Sequence, residues 1–244
     1  MDREKTHSFD VIIIGGGLAG LTSAAFLSKG GAKVLVCEQA SQVGGLFNSF
    51  WRSGYLFDGG IKAVENSSVM MPMLAQLGLL QQIHFYPSHT AMITGGHVQV
   101  IRHFSDVEEY FRLLGEFFPA EQAGLSQILQ DTKTVYQLMD GFLTFPIPFF
   151  DLPGAGNEAR AGWFKENGSL LTRLPRAASL MRQELRPYLA QHLHHPNLIN
   201  LLSDLFPDGT SVFFGLGYFR MFLDYYYPQG GIQVIPQTLE EAVQ

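Results

Sequence analysis

The chain alternates short apolar runs with glycine turns. Val11 to Ile14 is an unbroken apolar run leading into three consecutive glycines, and such a run predicts a parallel strand buried on both faces. Leu18 to Lys29 has helix-forming composition and stops at Gly30-Gly31, after which Lys33 to Cys37 repeats the strand pattern. Phe47 to Phe57 alternates loosely about Ser53-Gly54 and predicts a hairpin or irregular β segment. Val69, Met70, Met73, Leu74 and Leu77 have helical spacing, giving a helix over 67–80 that ends near Gly78. Residues 83–103 predict strands about a turn at Gly95-Gly96. Ser105, with Glu108 three residues on, suggests a capping box for a helix that stops before Pro119.

Further helices are expected over 121–142, over 174–195 with a kink at Pro187, and over 197–206, followed by an apolar segment over 206–227. Residues 143–172 are rich in Pro and Gly and predict a long connecting loop. A lid or substrate entrance and a poorly ordered excursion are equal alternatives for it. Pro228, Gly230 and Gly231 predict a turn, and Pro236 to Val243 a closing helix.

Composition narrows the class. Hydrophobic residues make up 46% of the 244 and charged residues 16%, which suits a substantial core and argues against disorder. The net charge of −6 offers no basic footprint for nucleic acid. Cys37 is the single cysteine, so an intrachain disulfide is excluded, and its place in a strand predicts a small buried hydrophobe in a cytosolic protein. The polar start MDREKTHSFD lacks the apolar core of a signal peptide, and no apolar run reaches the length of a membrane span. Phenylalanine occurs 20 times, clustered around 111–118, 142–150 and 206–222. Core packing accounts for most of these; the wall of an apolar substrate cavity is the functional alternative.

The candidate chemistry lies at the first turn. Gly15, Gly17 and Gly20 have the G-x-G-x-x-G spacing between a strand and a helix. The first glycine allows the tight turn, the second admits a pyrophosphate to the backbone, and the third lets helix and strand pack closely. Glu38 ends the second strand, where a carboxylate holds ribose hydroxyls and repels the 2′-phosphate of NADP. The alternative is a glycine-rich corner with no ligand. His192, His194 and His195 lack an acid or cysteine at ligand spacing and predict a solvated helix end, so no metal is expected. No nucleophile, triad or general base stands out, and catalytic residues stay unassigned.

Three further stretches carry a resemblance. Gln42-Val-Gly44-Gly45-Leu46-Phe-Asn-Ser49 is similar to the flavoprotein pattern R-x-G-G-R-x-x-S/T, with both arginines replaced. GYLFDGG at 54–60 is similar to G-Y-x-F-D-x-G, and Tyr227-Pro-Gln-Gly230-Gly231 to a Y-P-x-G-G turn. With the fingerprint, these resemble FAD-dependent oxidoreductases of the phytoene desaturase, carotenoid isomerase and retinol saturase group, within the amine-oxidase-like flavoproteins. The missing arginines weaken a strict amine oxidase assignment and favour the isomerase-like branch.

The resemblance implies an α/β fold: a glutathione-reductase-like FAD-binding Rossmann domain with an incomplete sheet and an inserted α+β substrate domain. Residues 1–82 would begin the FAD-binding domain, 83–227 form the substrate-binding region, and 228–244 return to the first domain. It places Gly44, Gly45, Ser49, Asp58, Gly59 and Gly60 near FAD, and Gly230 and Gly231 near flavin or substrate. The implied reaction is desaturation, saturation or redox-dependent isomerisation of an apolar carotenoid- or retinoid-like substrate. An amine-oxidase-like flavoenzyme, an NAD-dependent dehydrogenase and a non-catalytic dinucleotide-binding subunit completed by a second chain stay open. The resemblance also implies that the chain is the N-terminal part of a longer protein or half of a split one. A cytoplasmic location is expected, with peripheral membrane contact left open.

Overall fold

The structure is a computed structural model that describes residues 8–66, 69–143 and 156–243. In chain order its elements begin with β1 (Val11–Ile14), α1 (Leu18–Lys29), β2 (Val34–Cys37), β3 (Ser49–Arg52), β4 (Tyr55–Asp58), β5 (Val64–Glu65), α2 (Met70–Leu77) and β6 (Phe85–Pro87). They continue with β7 (Thr90–Thr94), β8 (His97–Ile101), α3 (Phe104–Phe117), α4 (Gln122–Leu143), α5 (Gly156–Asn167), α6 (Leu174–Arg182), α7 (Leu185–His192), α8 (Pro196–Ser203) and α9 (Val212–Met221). The last two are β9 (Tyr225–Pro228) and α10 (Val234–Glu241).

The chain divides into two compact units. One comprises Met1–Ser88 with Tyr225–Gln244, and the other is His89–Asp224. The boundaries differ from those expected at 82/83 and 227/228 because β9 pairs with both β5 and β6, which ties 85–87 and 225–228 into the first unit.

In the first unit β1 and β2 pair in parallel, with Val11 opposite Val34 and Ile14 opposite Cys37. Alternate side chains point to opposite faces. One face, with Val11, Ile13, Val34 and Val36, is partly buried. The other carries Ile12 at 62% and Ile14 at 91% exposure, with Cys37 also exposed. The burial expected on both faces of β1, and the burial of Cys37, are therefore corrected. An apolar run without alternation shows that both faces are apolar; among the described residues the second is covered only at Leu35, which is half-buried.

The hairpin is where the sequence places it, β3 pairing antiparallel with β4 about Ser53 (φ 52°) and Gly54 (φ 82°). The core joins both ends of the chain: Leu21 and Ala25 of α1 cluster with Val64, Leu74, Leu79 and Ile83, and with Ile232, Ile235 and Leu239 from the C-terminal segment. Gly78 closes α2 in the left-handed conformation (φ 82°) that suits glycine.

In the second unit β7 and β8 form a hairpin and α3 to α9 pack through residues such as Val107, Leu114, Ile128, Leu138 and Leu216. Asp131, 3% exposed, accepts from Arg176 Nε at 2.9 Å and Tyr188 Oη at 2.6 Å, so one carboxylate joins α4, α6 and α7. Three expectations change here. The cap of α3 lies at His103 rather than Ser105, because the Asp106 carboxylate accepts from Arg102 N at 2.8 Å and His103 N at 2.9 Å. The expected 174–195 helix is two, broken at Gln183–Glu184 rather than at Pro187. There Leu185 N donates to Thr210 O and Val212 N to Gln183 O, and Pro187 occupies the first turn of α7, where a missing N–H leaves no intrahelical bond unmade. The loop expected over 143–172 is helical from Gly156 through Asn167 and a 3-10 stretch from Gly168 to Arg173. Trp163 anchors α5 by donating its indole N–H to Gly141 O at 2.9 Å. Residues 144–155 of that loop lie outside the described residues, as do Phe145, Phe149 and Phe150.

Candidate functional site

The fingerprint turn leaves backbone open on one side. Gly15 has φ +102°, and a Cβ added there or at Gly17 would meet no atom within 4 Å. A Cβ at Gly20 would collide with Gly15 O and come within 3.3 Å of Ile13 Cγ2. The first two glycines thus border free space, and the third allows α1 to sit on the turn. Gly17 is the N-cap of α1 and supplies no side-chain cap. The N–H groups of residues 18–20 precede the first intrahelical bond, Leu21 N to Gly17 O, and have no acceptor within the helix. Together with the positive end of the helix dipole, these donors suit a phosphate. By shape and donor set the turn fits the pyrophosphate of a dinucleotide.

Glu38 stands beside it. Its carboxylate accepts from Gly16 N at 2.7 Å and from Ala40 N at 2.8 Å. The bond from Ala40, then that from Gly16, holds the carboxyl below the usual carboxylate range. Each oxygen keeps a second lone pair for a hydroxyl donor. The double-glycine loop docks on the same turn: Gly44 N donates to Gly16 O at 2.7 Å, and Gly44 bridges Gly17. Gly44 has φ +117°, and a Cβ there would strike Phe47 O and come within 2.9 Å of Pro236 Cγ. A cleft of about 470 Å³ beside the turn is lined by Glu38, Gln42, Gln233, Gln237 and Glu240 among others.

The other motif residues form a second cluster. Asp58 accepts from Ser49 Oγ at 2.8 Å, Tyr227 Oη at 2.7 Å and Ile232 N at 3.1 Å. Burial pushes its carboxyl up, but the bonds from Tyr227, Ser49 and Ile232, with the charge of Lys62, outweigh this and hold it low. Burial, then the bond to Asp58, pushes the Tyr227 hydroxyl up to about 12, so it stays a donor at neutral pH. A Cβ at Gly59 would collide with Asn48 Oδ1, one at Gly60 with Leu46 O, and one at Gly231 would lie 3.0 Å from Ser49 Oγ. Gly230 takes φ +95° in the return turn. The structure therefore brings Gly15, Gly17, Gly20, Glu38, Gly44 and Gly45 to one locus, and sets Ser49, Asp58, Gly59, Gly60 and Gly231 against protein neighbours in the clasp. Gln233 is the member that sequence reasoning missed, and Tyr227, quoted as part of the return turn, was given no role at Asp58. Their partners lie 169 to 190 residues away, beyond the reach of any local spacing.

The second unit holds an aromatic cluster, with Phe206, Phe214, Tyr218, Phe219 and Phe222 in successive ring contacts. Among the described residues a pocket of about 40 Å³ lies beside it, lined by Phe111, Ile128, Leu189, Phe219 and Phe222 among others. Among the described residues no group of three His, Cys, Asp or Glu could hold a metal, and no helix is long and apolar enough to cross a membrane.

Residues 13–77 match the family model of an NAD(P)-binding Rossmann-like domain. An inactive all-trans-retinol 13,14-reductase of Danio rerio is 39% identical over 103 residues, 41% of this chain and 16% of the relative. The all-trans-retinol 13,14-reductase of Macaca fascicularis is 30% identical over 153 residues, 58% of this chain and 25% of the relative. The chloroplastic prolycopene isomerase of Daucus carota is 27% identical over 142 residues, 56% and 23% respectively. Part of the chain is similar in sequence to retinol reductases and to a carotenoid isomerase. Its resemblance to that group holds, over 16–25% of the relatives' length. A putrescine oxidase structure shares the fold, with TM-score 0.53 at 16% identity over 96% of this chain and 49% of that one.

Proposed function

We propose that this chain provides the FAD site of an oxidoreductase acting on an apolar, unsaturated, retinoid- or carotenoid-like substrate. The observation that carries the reading is the open fingerprint turn with the double-glycine loop docked on it, in a chain related to retinol reductases and prolycopene isomerases. The backbone at Gly15 and Gly17 and the first N–H groups of α1 would hold the pyrophosphate, and Glu38 the ribose hydroxyls. Gly44 and Gly45 would bring backbone close to the cofactor from the opposite side. When bound, the flavin supplies hydride exchange at its ring; the protein binds and orients it. The second unit, inserted between Ser88 and Tyr225, is the substrate-side region in this reading.

Mixing the purified chain with FAD, desalting it and recording the visible spectrum tests the reading. Equimolar retained flavin, lost in Glu38→Ala, is the expected result. A colourless protein that ignores FAD and retains NAD instead would replace the reading with a dehydrogenase. The 39% identical relative named as inactive favours a second reading, a dinucleotide-binding chain without catalysis. Retained flavin that no retinoid or carotenoid oxidises or reduces would select it.

A further inference from the structure

We infer that Gln233 is a positioning residue of the dinucleotide site, whose side-chain amide fixes the double-glycine loop against the fingerprint turn. The inference rests on the reading of that turn as the dinucleotide site. Gln233 is 7% exposed and lies just ahead of α10. Its Nε2 donates to Val43 O at 2.7 Å, the carbonyl immediately before Gly44. Its Oε1 accepts from Ser49 N at 3.2 Å, and its own backbone N donates to Ser49 Oγ at 3.2 Å. One amide therefore grips the double-glycine loop with its donor and the start of β3 with its acceptor.

The loop is held from two sides. Gly44 N bonds Gly16 O within the fingerprint turn, while Gln233, and Pro236 one turn later, meet residues 43 and 44 from the other side. Ser49 passes the arrangement on to Asp58 through its hydroxyl, and Asp58 holds Tyr227 and Ile232 in the return segment. Beyond Gly44 the loop is also tied by Asn48 Nδ2 to Gly45 O at 2.6 Å and Ile61 N to Leu46 O at 3.0 Å, whereas on the other side residues 39–42 are exposed and Gln233 holds the carbonyl at Val43. Only a side chain of this length with a donor and an acceptor at its end makes both bonds. Glutamate keeps the acceptor and loses the donor, methionine loses both, and asparagine is one methylene short. An unmade bond at the part-buried Val43 O leaves that carbonyl without its protein partner.

The test compares wild type with Gln233→Glu and Gln233→Met, using Asp131→Asn in the second unit as a control that weakens the fold away from the site. Backbone amide exchange is followed at Gly44 and Phe47 without nucleotide, and FAD affinity by flavin fluorescence. Both Gln233 variants are expected to speed exchange at Gly44 and Phe47 by at least about tenfold relative to Leu79, a loop amide in the same unit. FAD affinity is expected to fall by about tenfold or more, whereas Asp131→Asn changes neither at matched stability. Uniformly faster exchange across the unit, or FAD binding weakened no more than in the control, would overturn the inference. If wild type binds no FAD, the dinucleotide reading fails, and the exchange measurement still decides whether Gln233 holds the loop.

Discussion

Single glycines here perform different tasks that one motif conceals. Gly17 has φ −69° and open space where a Cβ would project, so Gly17→Ala adds a methyl only to the open side of the turn, where the proposed pyrophosphate would lie. Its fold is expected to weaken by about 1 kcal/mol or less, as at an N-cap without a side-chain acceptor. Gly20→Ala drives a methyl into the carbonyl of Gly15 and is expected to cost about 2–3 kcal/mol or more. Thermal unfolding alongside FAD titration separates them: Gly17→Ala loses binding with little change in Tm, and Gly20→Ala loses both. Equal losses of stability in the two variants would contradict the geometry. This division was legible in the sequence, because the fingerprint spacing assigns each glycine its task. The roles of Gly59 and Gly60 were not, because their tight neighbours, Asn48 and Leu46, are set by how the hairpin folds back rather than by spacing.

Between elements, the Asp58 clasp joins β4 to β9 and to the segment before α10. Asp58→Asn replaces a carboxylate that accepts three hydrogen bonds, at an expected cost of about 1–3 kcal/mol at neutral pH. The folded-state carboxyl is held below its ordinary value of 3.8, so its contribution is fully present above that value and is lost as pH falls through the lower folded one. Denaturant unfolding from neutral to strongly acid pH is therefore expected to show the gap between wild type and Asp58→Asn closing only below 3.8. A gap that stays constant in acid would mean that the carboxylate charge is not what the clasp uses. Local punctuation predicted turns throughout the chain: Ser53-Gly54, Gly78 and Gly95-Gly96 all turn or stop it where expected. The sequence misled where two local signals competed, Asp106 winning the cap over Ser105 and the Gln183–Glu184 break over Pro187.

For the molecule as a whole, the largely uncovered face of β1 and β2 is the main departure from the sequence reading. Apolar composition identified the strands correctly, but what covers a sheet face depends on topology, and here β1 and β2 pair only with each other among the described residues. Cys37 is exposed and is expected to react with an aqueous thiol reagent in the native protein, without denaturant. Ile14→Lys, at a position 91% exposed, is expected to leave the unfolding free energy within about 0.5 kcal/mol of wild type at low protein concentration. Blocked labelling and a Tm that falls in Ile14→Lys and rises with concentration in wild type would show that another copy covers the face in solution.

The central strand of the three-stranded sheet, β9, reaches its partners β5 and β6 only after the whole of 89–224 has been made. On a ribosome adding roughly 5–20 residues per second, the first 88 residues wait many seconds before the strand that completes their sheet emerges. Ser88 N and Tyr225 O end up hydrogen-bonded, so the inserted unit starts and finishes at adjacent points. Once that unit has folded, it replaces a long flexible loop by a compact one and lowers the entropy cost of bringing β9 home. Order of synthesis and order of pairing thus differ: β5 and β6 are made first, yet they join one sheet only through a strand that follows the inserted unit.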